Sequence, residues 1–541
     1  MNKIIYIILL ISLTLSMGAC SDSFLEREPE GAYVDATFYA SPEALKAATA
    51  PLYNRAWFSY NERPAVAIGS LRANDGYNPW MNPSYTLFTV TSLDDGLSAS
   101  WKAFYSVITL SNETLNAIET KATNVSEQEK KQAMAEARLM RGIAYFYMVR
   151  LWGPVILFES NAEVIKNPLL PRHKEEDIFQ FIINDLTYAA NNLPDTWDKG
   201  RATSWGAKGM LAKVYLARSG WKKNGTRDEV DLAKAREIAG DVCMNSGISL
   251  YPNYEDLFKY KYNNNPESLI AMQWVPLGDW FVCNTLLADL AFSSEVTGGI
   301  NVWGGGLNAS IDQLRLYESA DSLRRNATYF TQGAYYPYIN IAEGGYTYTG
   351  TVAPIKKGVV GGPNDDNDGY VESMKSPLNT YILRLADVYL TFAEASLGNN
   401  ASLTGGEGLE YFNKVRDRAH INRKSSITLD DIIKERRIEF AMEYCNWYDM
   451  VTWYCYQPEK MLTYFNNQER GRRADSITKD ENGNLIFASP DENGVLTEGI
   501  FIEPANPVVV TDNNIFFPYP ENDLIQNPRL KEEPQAYTFH E

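Results

Sequence analysis

Trp80 lies between Pro79 and Met81 in a stretch without helical or strand periodicity, and Trp303 directly precedes three glycines. Trp280, in PLGDWFV, is placed in the same way. None has an amphipathic element to bury it, and a large apolar side chain at the surface is unfavourable unless a partner covers it. A rigid indole presents a flat face to the apolar C–H side of a pyranose ring, while amide, carboxylate and guanidinium groups beside it hydrogen-bond the equatorial hydroxyls. Arg63, Arg72, Asn74, Asp75 and Tyr77 precede Trp80 in the same stretch and supply such groups. Together with the three tryptophans they form the candidate ligand-binding set, and the chemistry is saccharide recognition. The competing reading for each tryptophan is loop or core packing. For Trp274, in the apolar run LIAMQWV, core packing is the expectation.

Bond-making chemistry finds no matching motif: the chain has no Gly-x-Ser-x-Gly, HExxH, Walker loop or Gly-x-Gly-x-x-Gly. Paired carboxylates of the kind that hydrolyse glycosides occur by chance in any acid-rich chain and decide nothing by themselves. The chain is therefore read as non-enzymatic, with a glycoside hydrolase as the rival. Asn364-Asp365-Asp366-Asn367-Asp368-Gly369 imitates the first half of a calcium loop, but Lys375 stands where a bidentate glutamate is needed. It is read as an acidic turn, and neither metal nor cofactor is expected. Cys243, Cys283, Cys445 and Cys455 show no ligand spacing. Buried free thiols are the first reading and one disulfide the second.

Lys and Arg number 50 against 68 Asp and Glu, a net charge of −18. Nucleic acid is thereby a poor partner, because its affinity comes from neutralising phosphates with basic residues. The N-terminus has Lys3, an apolar run of roughly 14 residues and then Gly18-Ala19-Cys20, the pattern of a secretory leader over 1–19. Such a run is too short to span a bilayer, which takes about 20 apolar residues. Cys20, directly after the small pair, has the thiol that lipoprotein processing acylates; Met17 replaces the usual leucine, and plain secretion is the rival reading.

The candidates sit in two loop-rich stretches, about 61–98 and 250–377, and binding residues commonly sit on loops held by a rigid frame. The second stretch also holds Tyr335, Tyr336, Tyr338, Tyr346 and Tyr348. The frame must be helical. Residues 136–155, EARLMRGIAYFYMVRLWGPV, are apolar on two faces at helical spacing and end at Gly153-Pro154. A helix apolar on two faces belongs in the middle of a stack, with Arg138, Arg141 and Arg150 paired inside it or snorkelling to its edge. Ser126 with Glu129 opens that helix as a capping box. Further helices are expected from Ser41 with a break at Pro51, and at 100–120, 174–192, 202–220, 228–245, 378–397, 407–419 and 428–455. Helices of this length in pairs, with Ala202, Gly206, Gly209 and Ala212 allowing close approach, suggest a tetratricopeptide-like scaffold. Arg416, Arg418, Arg436 and Arg437 with Glu435, Glu439 and Glu443 read as a solvated or paired helical face. Two Asp-Glu-Asn-Gly turns, 480–483 and 491–494, bracket a strand in a C-terminal hairpin. The mature chain, 20–541, is read as one mainly α domain: scaffold at about 41–250 and 378–455, a loop-rich insertion, and a hairpin and tail at 456–541.

Residues 136–155, GRATSWGAKGMLAKVYLA (200–217), RLADVYLTFAEA (384–395), FNKVRDRA (412–419), KERRIEFAMEYCNWYDMVTW (434–453) and FFPYPENDLIQNP (516–528) each resemble a block of the SusD/RagB family, in the family's order. The resemblance implies a non-catalytic nutrient-binding lipoprotein, anchored to the outer membrane of Bacteroidetes through Cys20 and facing the exterior. It also implies a SusC-like TonB-dependent transporter as partner. One tryptophan near position 80 and two more some 20 residues apart resemble members that bind xyloglucan or related β-glucans. Another glycan, a peptide or a glycoprotein is the alternative cargo.

Overall fold

A computed structural model describes residues 39–304, 306–372 and 375–539; the leader expected over 1–19 and the lipidation expected at Cys20 lie outside the described residues. The scaffold begins with α1 (Pro42–Thr49), α2 (Asp95–Lys121), α3 (Glu127–Trp152), α4 (Glu175–Asn192), α5 (Ser204–Gly220) and α6 (Glu229–Asn245). It resumes with α7 (Leu385–Leu397), α8 (Glu407–Arg418), α9 (Leu429–Glu439) and α10 (Asn446–Tyr456). Each helix packs on the next, α2 on α3, α3 on α4 and so on to α7 on α8, skipping the insertion between α6 and α7. This is the expected scaffold of stacked helical pairs. Among the described residues no helix is long and apolar enough to cross a membrane.

The stack is organised around α3. Ser126 and Glu129 cap it reciprocally, the Glu129 amide donating to Ser126 Oγ at 3.2 Å and the Ser126 amide to Glu129 Oε2 at 2.7 Å. From Ala135 to Trp152 only Arg138 escapes burial. Arg141 reaches Asp185 of α4 with two bonds of 2.7 and 2.8 Å, and Arg150 lies over the Phe146 ring at 3.6 Å. Both arginines are thus paired inside the stack. Gly209 meets its neighbour as its size suggests, since a Cβ there would come within 2.8 Å of Val388 on α7.

Three elements differ from their sequence reading. Residues 61–98 are not one loop: a helical turn at Phe58–Asn61 and a π-helical turn at Val66–Leu71 precede β1 (Gly76–Tyr77), and the segment 64–78 is buried throughout. The helix expected at 378–397 opens as a strand, β4 (Thr380–Arg384), paired antiparallel with β2 (Ser268–Met272). A short apolar run suits either geometry, and here the partner strand decides. The helix expected over 428–455 breaks between α9 and α10, where Met442 and Tyr444 take left-handed φ of 59° and 64°. The break turns Glu443 inward to Arg384 at 2.7 Å and Lys357 at 3.0 Å.

The arginine and glutamate face is buried rather than solvated. Arg384 binds Glu267, Glu439 and Glu443, each at 2.7 Å; Arg324 binds Asp321, Glu435 and Glu439; Arg418 binds Glu267 and Glu439. This network fastens the insertion, which supplies Glu267, Asp321 and Arg324, to α8 and α9 of the scaffold. Around it the insertion builds a second hydrophobic core from Leu286, Tyr329, Phe330, Tyr336, Ile355 and their neighbours. Tyr336, Tyr338 and Tyr348 are buried there, while Tyr335 is exposed. The C-terminal hairpin is β5 (Ser476–Lys479), β6 (Leu485–Pro490) and β7 (Leu496–Glu498), turning at the two Asp-Glu-Asn-Gly sequences. The four described cysteines are unpaired thiols.

Candidate functional site

The two tryptophan stretches meet through a pair of two-residue strands. β1 pairs antiparallel with β3 (Asn308–Ala309), Gly76 opposite Ala309 and Tyr77 opposite Asn308. In antiparallel pairing the chain after Tyr77 and the chain before Asn308 leave at the same end, so the segments that carry Trp80 and Trp303 depart from the same side of the pair. Asn78 ties the two loops. Its Oδ1 accepts the amides of Trp80 (2.8 Å) and Met81 (3.1 Å), and its amide nitrogen would lie 2.2 Å from a Cβ at Gly306. A side chain at 306 would have to displace the Asn78 amide from this position. Trp80 is 79% exposed and Trp303 60%.

Trp280 joins this face through Glu62 and Arg63, consecutive residues after the Phe58–Asn61 turn. The Trp280 indole N–H donates to Glu62 Oε1 at 3.2 Å. The Arg63 guanidinium lies 6.0 Å from the Trp303 ring centre and donates to Asp289 Oδ2 at 3.1 Å. Trp303 is fixed in turn by its amide, which donates to the carbonyl of Ala288 at 2.8 Å. Burial pushes the Asp289 carboxyl up, and the Arg63 charge pulls against it. Trp280 is half-buried, packed against the main core, and the neighbouring Phe281 is exposed over Phe58. Cys283 Sγ donates to the carbonyls of Val275 and Gly278, closing this loop on itself.

The other polar candidates do not reach the face. Arg72, Asn74 and Asp75 are buried, and the ligand-contacting role expected for them is corrected. Arg72 is held among the rings of Phe88, Phe517 and Trp447, at 4.1, 4.3 and 4.9 Å, where aromatic faces offset its missing hydration. Asp75 is a bolt beneath β1: its carboxylate accepts the Met442 amide at 3.2 Å and the Asn446 side chain at 3.0 Å, while its carbonyl accepts the Tyr329 hydroxyl at 2.7 Å. Tyr77 is largely buried in β1 itself. Trp274, expected in the core, is there, its indole N–H donating to Thr380 at 3.0 Å.

Burial raises the Asp75 carboxyl from 3.8 to about 6, with Arg437 and the two donors pulling the other way. The folded protein therefore keeps this proton to higher pH than the unfolded chain does. The group's contribution is complete below about 4 and is lost as the pH rises to about 6, about 3 kcal/mol in all. The unfolding free energy of the wild type relative to Asp75→Asn should accordingly fall by about that amount across the window. A difference independent of pH would reject it.

In the acidic turn at 364–369 the carboxylates of Asp365 and Asp366 have partners within the protein. Asp365 accepts the amides of Gly362 (2.7 Å) and Ile341 (2.9 Å), Asp366 pairs with Lys261, and Asn367 donates to the carbonyls of Val360 and Gly362. Among the described residues no group of three or more His, Cys, Asp or Glu is placed to hold a metal ion.

Sequence reasoning missed Glu62, Asn78, Phe281 and Asp289. Phe281 carries the same signal as Trp280, a large ring in an irregular stretch. Asn78 stands two residues before Trp80, the spacing of an Asx turn. Glu62 and Asp289 carry no local signal, because their partners are distant in the chain.

Two family models match the chain: one described as the SusD family over residues 258–537, and one described as starch-binding, associating with the outer membrane, over 23–216. A SusD-like protein of Bacteroides ovatus is 64% identical over 539 residues, covering 99% of this chain and 98% of that protein. A crystal structure with xylogluco-oligosaccharide, 64% identical in sequence, superposes with a TM-score of 0.89 over 92% of this chain and 100% of that one. A laminarin-binding SusD-like protein shares the fold at 20% identity, with a TM-score of 0.65 over 90% of this chain and 98% of that one.

Proposed function

This chain belongs to the SusD family, and from that premise we propose that it is a surface glycan-binding lipoprotein whose ligand is xyloglucan or a related β-glucan. The ligand lies along Trp80, Trp280 and Trp303 and passes to a SusC-like TonB-dependent transporter, without being cleaved. The lipid anchor is Cys20, and the binding face looks to the cell exterior.

One observation carries this reading: the sequence-distant loops that bear the three indoles are linked by the β1–β3 pair and by Glu62–Arg63. Stacking on exposed rings suits an unbranched or regularly branched chain with equatorial bonds, whose sugar faces are flat and apolar. The 64%-identical protein crystallised with xylogluco-oligosaccharide supports the same ligand class.

Native affinity electrophoresis of residues 21–541 in gels containing xyloglucan, mixed-linkage β-glucan or starch tests it. Retardation by xyloglucan, with no sugar released from the polysaccharide, is the expected result. Retardation by starch alone, or by none of the three, would overturn the ligand assignment.

Glu62 gives a second check. Glu62→Leu removes the acceptor of the Trp280 indole and should weaken xylogluco-oligosaccharide binding by about 1 kcal/mol, or about fivefold. Titration calorimetry measures this directly. Wild-type affinity in the variant would mean that Trp280 needs no anchor.

A further inference from the structure

Arg472 and Arg473 are adjacent at the entry to the C-terminal hairpin, yet their side chains are treated differently. Arg472 is neutralised by Glu469 at 3.2 Å and Glu503 at 3.0 Å. Arg473 has its backbone fixed by two hydrogen bonds of 2.9 Å with Ile502, but its guanidinium makes no hydrogen bond or ion pair among the described residues. That guanidinium lies 5.5 Å from the centre of the Trp80 ring. It also lies close enough to Tyr77 to pull against the burial that raises the Tyr77 hydroxyl. Two other guanidiniums near the loops have polar partners: Arg63 has Asp289, and Arg470 has the carbonyls of Arg72 and Thr86 and Gln468.

Resting on the glycan-binding reading of this face, we propose that Arg473 is a further saccharide-binding residue. It stacks on Trp80 and donates its free N–H groups to hydroxyls of the sugar unit beside the one seated on that ring. A guanidinium presents five donors in a rigid plane, a geometry suited to two neighbouring hydroxyl oxygens at once. Contact with the indole holds that plane in place without consuming the donors. Arg473 thereby adds to a face of exposed rings a directional group that distinguishes hydroxyl arrangements, which stacking alone does poorly. It also makes the C-terminal hairpin part of the binding surface.

The test is titration calorimetry with xylogluco-oligosaccharide on the wild type, Arg473→Ala, Arg473→Lys and Trp80→Ala, with thermal unfolding of each as the check on folding. Arg473→Ala should bind about tenfold more weakly. Lysine keeps a cation over the ring but loses the planar fork, so Arg473→Lys should recover less than half of that loss on a logarithmic scale. Tryptophan emission of unliganded Arg473→Lys should match the wild type. Full affinity in Arg473→Lys would reduce the residue to a cap on Trp80, and full affinity in Arg473→Ala would remove it from the site. Both results leave the glycan-binding reading intact. Absence of heat from the wild type would remove that reading and the role of Arg473 with it.

Discussion

Alanine at Trp80, Trp280 and Trp303 together is expected to abolish measurable binding of xylogluco-oligosaccharide while leaving the helical scaffold folded. An aromatic ring that stacks on a flat ligand ring contributes about 1–3 kcal/mol in nucleic-acid complexes, and the apolar face of a glucosyl unit is a comparable partner. Each single substitution should thus lower affinity by about 5- to 150-fold, and the triple substitution by the larger part of the total. Additivity is limited here because Glu62 and Arg63 couple the loops of Trp280 and Trp303. The effect on stability should be unequal. Trp80 and Trp303 are mostly exposed and leave no cavity, whereas Trp280 packs against the core and its loss should lower the melting temperature slightly. Calorimetry and affinity gels read the binding, and circular dichroism reads the fold. Unchanged affinity in all three single variants would place the site elsewhere on the protein.

The largest effect on stability is expected at Glu439. Its carboxylate is fully buried and is shared by Arg324, Arg384 and Arg418, which also bind Glu267, Glu435 and Glu443. Burial alone would raise this carboxyl, but the three guanidiniums outweigh it and hold the group well below the usual carboxylate range. Its stabilisation is accordingly present above the unfolded value near 4.3 and lost as the pH falls toward the depressed folded value. Glu439→Gln keeps the shape and removes the charge, leaving buried guanidiniums short of a counter-ion, at a cost of about 3–5 kcal/mol. Denaturant unfolding at neutral pH measures it, and a change below about 1 kcal/mol would show that the remaining carboxylates suffice. Because this network joins the insertion to α8 and α9, a weakened form should loosen the loops of Trp280 and Trp303. Reduced glycan affinity is then expected to accompany the lost stability.

Most helix limits were legible in the sequence because they rest on local signals. The Ser126–Glu129 box, the Pro154 stop after α3, the small residues of α5 and the paired turns of the hairpin each specify their own neighbourhood. The exposed loop tryptophans were legible for a related reason: a large ring without a periodic partner announces itself. The six family-like blocks also agree with the family to which the chain belongs.

Burial of the polar candidates was decided elsewhere. Arg72, Asn74 and Asp75 have the composition of a binding loop, yet Phe517, Tyr329 and Asn446, hundreds of residues away, enclose them. The strand at the head of α7 exists because β2 is beside it, and the break before α10 is where Glu443 meets Arg384 and Lys357. Arg473 had no signal in its own neighbourhood, since what distinguishes it from Arg472 is only which groups the folded chain brings near. Periodicity, caps and turns follow from the energetics of a few adjacent residues, so the sequence alone determined most of the scaffold's helices. Which polar groups are hidden and which are presented depends on contacts between distant segments, so the tertiary structure decided which polar groups join the tryptophans on the face.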